Sequence, residues 1–195
     1  SLKRILMTRL LTVIFAAVAI AASTGLAKAD AEFNPLLQLF GGGAGSGTGP
    51  IPRTTVSFQG NYAPGTIIVD TKERRLYLVQ EGGRALRYGI GVGRDGFRWG
   101  GVHRITAKKE WPSWTPPAQM LRRRPDLPRH MVGGPDNPLG ARAMYLGSTL
   151  YRIHGSNEPE TIGQAVSSGC FRMVNDDVID LYNRVQVGAT VIVKN

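Results

Sequence analysis

Cys170 is the only thiol in the chain, and His154 stands 16 residues before it. Near its ordinary pKa of about 8.5 a thiol is only a few per cent thiolate at neutral pH, so it needs a base or a positive charge beside it to act as a nucleophile. The segment His154-Gly155-Ser156-Asn157 closes an expected strand, and Ser167-Ser168-Gly169-Cys170-Phe171-Arg172 follows a short helical turn near Pro159-Glu160. A strand end and a loop at that separation can meet in space. The chemistry such a pair supports is acyl transfer, with Cys170 attacking a carbonyl and His154 taking the thiol proton. Gly169 leaves the Cys170 amide open to a developing oxyanion. Arg172, permanently charged, can hold a substrate carboxylate or steady the chain that bears the thiol. The alternative is an inert thiol, because free Cys also packs as a small hydrophobe.

The elements around these residues read mainly as β. Residues 65–70 and 75–79 are β-branched or alternating runs joined by Thr71-Lys72-Glu73, and Glu81-Gly82-Gly83 turns into a run at 86–92. Further strands are expected at 103–109, 143–146, 150–154 and 190–194. Short strands at this spacing indicate a mostly antiparallel sheet, sandwich or barrel. One helix is clear: Asn175 is a suitable N-cap, Asp176 and Asp177 suit the positive end of the dipole, and Val178, Leu181, Tyr182 and Val185 share a face. The expected fold is therefore mostly β, a mixed sheet or sandwich with one main α-helix that braces the Cys170 loop from behind.

The N-terminal quarter reads differently. Lys3, Arg4 and Arg9 precede a 13-residue apolar run at 10–22, and Ala27-Lys28-Ala29 has the small-x-small pattern of a signal-peptidase site. Residues 1–29 are thus expected to be a signal peptide, which would place the mature protein in the periplasm. Residues 30–63, with Gly41–Pro50 of low complexity, read as a flexible linker, and 64–195 as the catalytic domain. The leader carries four bases and no acid, so its removal takes the net charge from +10 to +6. That modest excess suits an anionic polymer. Nucleic acid is excluded as a partner, since export argues against it and no recognition motif is present. A single Cys in an oxidising compartment is unusual, because exported proteins generally pair their thiols or lack them.

The remaining conspicuous residues point to no further chemistry. His103 and His130 read as a strand and a loop residue, and the three histidines lack the close spacing of a metal site, so neither metal nor cofactor is expected. Gly89-Ile90-Gly91-Val92-Gly93 lacks the strand–loop–helix context of a phosphate-binding loop. Arg122-Arg123-Arg124 reads as a solvated loop. Trp111–Pro117 is either packing or a wall of the substrate cleft, and Tyr145 and Tyr151 read as core or sheet-face residues.

His154-Gly155 followed by Ser167-Ser168-Gly169-Cys170-Phe171-Arg172 resembles the signature of the L,D-transpeptidases with a YkuD-type catalytic domain, HG[TS]…[ST]HGC-x-[RN]. Gly133-Gly134-Pro135-Asp136-Asn137-Pro138-Leu139-Gly140 resembles the same family's GGP-x-NPLG loop. The resemblance covers roughly 64–195. It implies that Cys170 is the nucleophile, His154 the base, and the Gly155 carbonyl the group that fixes the imidazole tautomer. Arg172 matches the basic position after the Cys, and Ser167 the small hydroxyl position. Ser168 stands where many members have His, and the segment at 99–105 replaces the family's TP-x-G-x-[FY]-x-I. The implied substrates are peptidoglycan stem peptides, from which terminal D-Ala is released through a thioester. The acceptor is another stem, a free D-amino acid or an outer-membrane protein. The implied inhibitors are carbapenems. The protein is taken as a monomer. An L,D-carboxypeptidase, with water as acceptor, and a non-catalytic wall-binding module remain the alternatives.

Overall fold

The structure, a computed structural model, describes residues 49–195. The expected signal peptide and the first part of the expected linker lie outside that range. The strands, in chain order, are β1 (Thr54–Ser57), β2 (Ile67–Asp70), β3 (Arg75–Gln80), β4 (Arg84–Gly89), β5 (Val92–Gly93), β6 (Gly101–Glu110), β7 (Arg142–Leu146), β8 (Arg152–His154), β9 (Ala165–Ser167), β10 (Phe171–Arg172) and β11 (Thr190–Lys194). Two helices join them, α1 (Ala118–Arg123) and α2 (Asn175–Arg184), and a 3-10 turn spans Pro159–Thr161.

The core follows from the side-chain patterns. Ile67, Ile68 and Val69 of β2 are all buried, as a β-branched run covered on both faces should be. In β3, Leu76 and Leu78 point inward, and in β11 Val191 and Val193 do, so both strands alternate with the pleat. Val178 and Leu181 of α2 are buried one helical turn apart, with Val185 just past the helix end.

Nine strands form one mixed sheet in the order β1-β4-β3-β2-β11-β6-β7-β8-β10, with β11 parallel to β2 and β10 parallel to β8. The chain leaving β4 reaches across to the opposite edge. Gly91 N donates to Arg172 O (2.8 Å) and Arg172 N to Gly91 O (2.9 Å), while β5 pairs with β9. These bonds bring the two ends of the sheet together, so it curls around its apolar interior. The curl sets β8, β9 and β10 side by side, and those strands carry the candidate residues.

Three readings change. The stretch 30–63 is not wholly linker: β1 pairs antiparallel with β4, and Arg53 beside it forms ion pairs with Asp177 (3.2 Å) and Asp180 (3.3 Å) of α2. The polar composition around it hid a strand whose partner lies 30 residues on. Asn175 does not cap α2. Val174 is the N-cap, and the Asn175 side-chain oxygen instead accepts from Ala141 N (2.9 Å), tying α2 to the chain entering β7. Finally, Arg122 and Arg123 belong to the last turn of α1, where a cation complements the dipole, and not to a loop.

Candidate active site

β10 runs parallel to β8 with Arg172 opposite His154 and Phe171 opposite Ile153. Extending that register by one residue sets Cys170 beside Arg152. Side chains two apart on a strand share a face, so Cys170 and Arg172 lie on the same side as Arg152 and His154. All four line one cavity of about 910 Å³, together with Ser167 and Ser168. Six of the seven sequence-derived site residues fall in or directly against this cavity once Gly155, bonded to His154, is included. The seventh, Gly169, supports it from behind.

His154 is buried, and its Nδ1 lies 2.6 Å from the Gly155 carbonyl oxygen, so Nδ1–H donates to it. Burial pushes the imidazole pKa down to about 4. The Gly155 and Leu139 carbonyls oppose this, and the Arg172 and Arg152 charges add to it. The Cys170 thiol is likewise raised by burial, against the nearby Arg152. Both groups therefore rest neutral at pH 7: a protonated thiol and, in the same cavity, an imidazole free to accept a proton at Nε2.

The loop between them is tightly bonded. Arg172 Nη2 reaches Glu158 Oε2 (2.6 Å) and donates to Ser156 Oγ (3.0 Å), and Glu158 N donates to the same hydroxyl (3.0 Å). Arg172 thus clamps the 155–158 loop to the strand after Cys170. The Ser167 hydroxyl donates to Cys170 O (2.7 Å) and accepts from Gly169 N (3.2 Å), which shapes the turn carrying the thiol. Gly169 sits at φ +111° against the Tyr151 ring, a place where a Cβ has neither the backbone conformation nor the room. Its carbonyl accepts from Trp99 Nε1 (2.6 Å), and Trp99 stacks on Tyr151 (centroids 4.4 Å apart, planes at 9°).

Asn137 explains the Gly/Pro-rich loop. Buried, it donates to Val132 O (2.8 Å) and accepts from Leu139 N (2.9 Å), folding Pro138 and Leu139 onto the cavity. Gly155 lies so close to Ala141 N and Asn175 Oδ1 that an added methyl would strike both. Gly155→Ala is therefore expected to displace the carbonyl that orients His154. It should cost about 1–3 kcal/mol of stability, read as a lower urea midpoint, together with lost activity.

Sequence reading missed Arg152, Trp99 and α1 as parts of this site. Arg152 was signalled only by standing two residues before His154 in the same strand. Tyr151, read as a sheet-face residue, is part of the cavity wall, as are Trp114 and Pro117 of the aromatic loop. His103 packs edge-on against Trp99 (5.0 Å), and His130 Nδ1 lies 3.1 Å from Thr115 Oγ1. Among the described residues no group of three or more His, Cys, Asp or Glu side chains is gathered as a metal site.

Residues 64–193 match the sequence model of YkuD, the L,D-transpeptidase catalytic domain. The chain is 39% identical over 134 residues to a probable L,D-transpeptidase, ErfK/SrfK, of Escherichia coli; the match covers 64% of this chain and 42% of that protein. The chain thus spans less than half the length of that relative. An L,D-transpeptidase structure from Mycobacterium smegmatis has the same fold, with a TM-score of 0.54 at 17% identity over 67% of this chain and 58% of that one. A crystal structure described as a probable carnitine operon oxidoreductase from Brucella melitensis is 49% identical (TM-score 0.51, 72% of this chain, 91% of that one). In this chain Gly89–Gly93 passes from β4 into β5 and then through a turn at 95–96 to β6, which is not the strand–loop–helix setting of a dinucleotide loop.

Proposed function

Because the chain belongs to the L,D-transpeptidase catalytic-domain family, we propose that it transfers the acyl group of a peptidoglycan stem peptide through a thioester on Cys170. The observation that carries this reading is the β8–β10 register, which sets the thiol and a neutral imidazole on one face of one cavity. With Nδ1–H held by the Gly155 carbonyl, Nε2 of His154 has the lone pair that accepts the thiol proton. The sulfur then attacks the carbonyl at the L-centre of the diamino acid that precedes terminal D-Ala. The oxyanion forms beside the Cys170 amide, which Gly169 leaves uncovered. Collapse breaks the C–N bond, and the imidazolium returns its proton to the departing D-Ala amine. An acceptor amine next gives a proton to His154, attacks the thioester and releases the thiol. Arg172 keeps the His154 loop and the Cys170 strand in register through Ser156 and Glu158.

The expected leader at 1–29 would export the protein to the periplasm, where such stems occur. Carbapenems, which carry a reactive carbonyl, would acylate Cys170. Water in place of the amine would make the same site an L,D-carboxypeptidase.

The test is mass spectrometry of products from a tetrapeptide muropeptide and excess D-methionine, beside a Cys170→Ala control. Exchange of D-Ala for D-Met that needs Cys170 is expected. Cys170-dependent loss of D-Ala without D-Met gain would instead assign the carboxypeptidase, and no reaction would overturn both in favour of a wall-binding module.

A further inference from the structure

The cavity wall is unevenly charged. Arg94, Arg123, Arg124, Arg152 and Arg172 all line it, against one carboxylate, Glu158. The nearby acids are already engaged: Glu158 with Arg172 (2.6 Å), Asp126 with Arg124 (2.6 Å) and Asp95 with Arg98 (3.0 Å). Arg94, Arg123 and Arg152 have no ion pair among the described residues.

Two of these three share a support. The Arg94 guanidinium lies over the Phe97 ring at 4.6 Å and that of Arg123 at 5.1 Å. The two charges are therefore about 10 Å apart at most, comparable to the Debye length of ~10 Å at 0.1 M salt. Arg94 is anchored to the loop that carries the thiol, since its backbone N donates to Ser167 O (3.0 Å). Arg123 approaches from α1, across the cavity. Stacking on one ring holds both planar forks without using their N–H groups, which stay free for a ligand. Like charges gathered without a counter-ion are relieved by an anion, and a guanidinium pair suits a planar carboxylate.

We propose that Arg94 and Arg123 read a free carboxylate of the donor stem, so that the enzyme selects donors whose carboxyl group at that position is not amidated. The identity of the donor rests on the function proposed above; the carboxylate-reading pair does not. A tetrapeptide stem offers three carboxylates, on D-Glu, on the diamino acid and on terminal D-Ala, and amidating them one at a time distinguishes the sources.

Binding of the intact tetrapeptide and of its three mono-amides is measured by calorimetry on Cys170→Ala protein, which cannot turn them over. Turnover of the same four peptides by the wild type is followed in parallel. One amide is expected to bind about 10-fold more weakly than the free acid, with the preference shrinking as salt is raised. Arg94→Gln/Arg123→Gln, at two exposed positions, should bring the ratio of free acid to amide close to 1, and Arg123→Glu should shift it towards the amide. Equal binding of all four peptides, or a preference that survives the double substitution, overturns the proposal. Carboxylate-dependent binding without any wild-type turnover would uphold the reading pair while overturning the function.

Discussion

Cys170→Ala is expected to lower D-Ala release from a tetrapeptide stem by about 10⁴-fold or more, because the proposed acyl-enzyme forms on the one thiol in the chain. The fold should survive. Cys170 is only half-buried, and its thiol has polar neighbours in Arg152 and, at 4.0 Å, in Leu150 O, so the change in stability should stay within about 1 kcal/mol. Intact-protein mass spectrometry gives a second reading of the same residue. The wild type should gain one carbapenem mass on incubation, and the variant none. Turnover retained in Cys170→Ala protein would remove the thioester from the mechanism.

His154→Gln should cost about 10²–10⁴-fold in kcat/KM through loss of the proposed base. The environment of His154 also sets where the acid limb of the wild-type profile falls. An imidazole pushed down to about 4 by burial stays neutral from pH 5 upward. The rate should therefore fall with acid near pH 4 and not near the ordinary histidine value of about 6.5. A limb at 6–7 would mean that the imidazole titrates as an ordinary histidine and that burial does not hold it neutral.

Stability gives an independent check. Below about 6.5 the unfolded imidazole takes up a proton that the folded one refuses until about pH 4. The unfolded state then binds more protons, so His154 lowers stability as pH falls through that window, by about 3 kcal/mol at pH 4. Asp177 acts in the opposite sense. Burial raises its carboxyl to about 6, against the pull of Arg53, so the folded state holds a proton that the unfolded carboxyl has released. Its contribution weakens as pH rises from about 4 to 6. The two terms partly cancel in the wild type. The difference in unfolding free energy between wild type and His154→Gln, measured at pH 7 and pH 4, should isolate the histidine.

Much of the fold was legible because its signals are local. Alternation in 75–79 and 190–194, turn residues between the strands, and the helical spacing of Val178, Leu181 and Val185 each need only a few neighbouring residues. Elements missed by that reading depend on partners elsewhere. β1 is a short polar strand made stable by β4. β9 and β10 have three and two residues and exist because β5 and β8 offer them bonds. Asn175 has the residue type of an N-cap, but the chain entering β7 supplied a stronger use for its side chain.

The same division runs through the site. Residue type and order determined which groups have chemistry: a single thiol, a histidine after a strand, a glycine before the thiol and an arginine two residues past it. They also carried the family resemblance, since those motifs are contiguous in sequence. Only the tertiary structure decided that Arg152 stands beside the thiol, that Trp99 and Tyr151 hold its loop, and that α1 carries Arg123 over the cavity. The burial that leaves His154 neutral was equally beyond sequence. Such features arise where strands distant in the chain come into register, and register depends on the packing of the whole sheet.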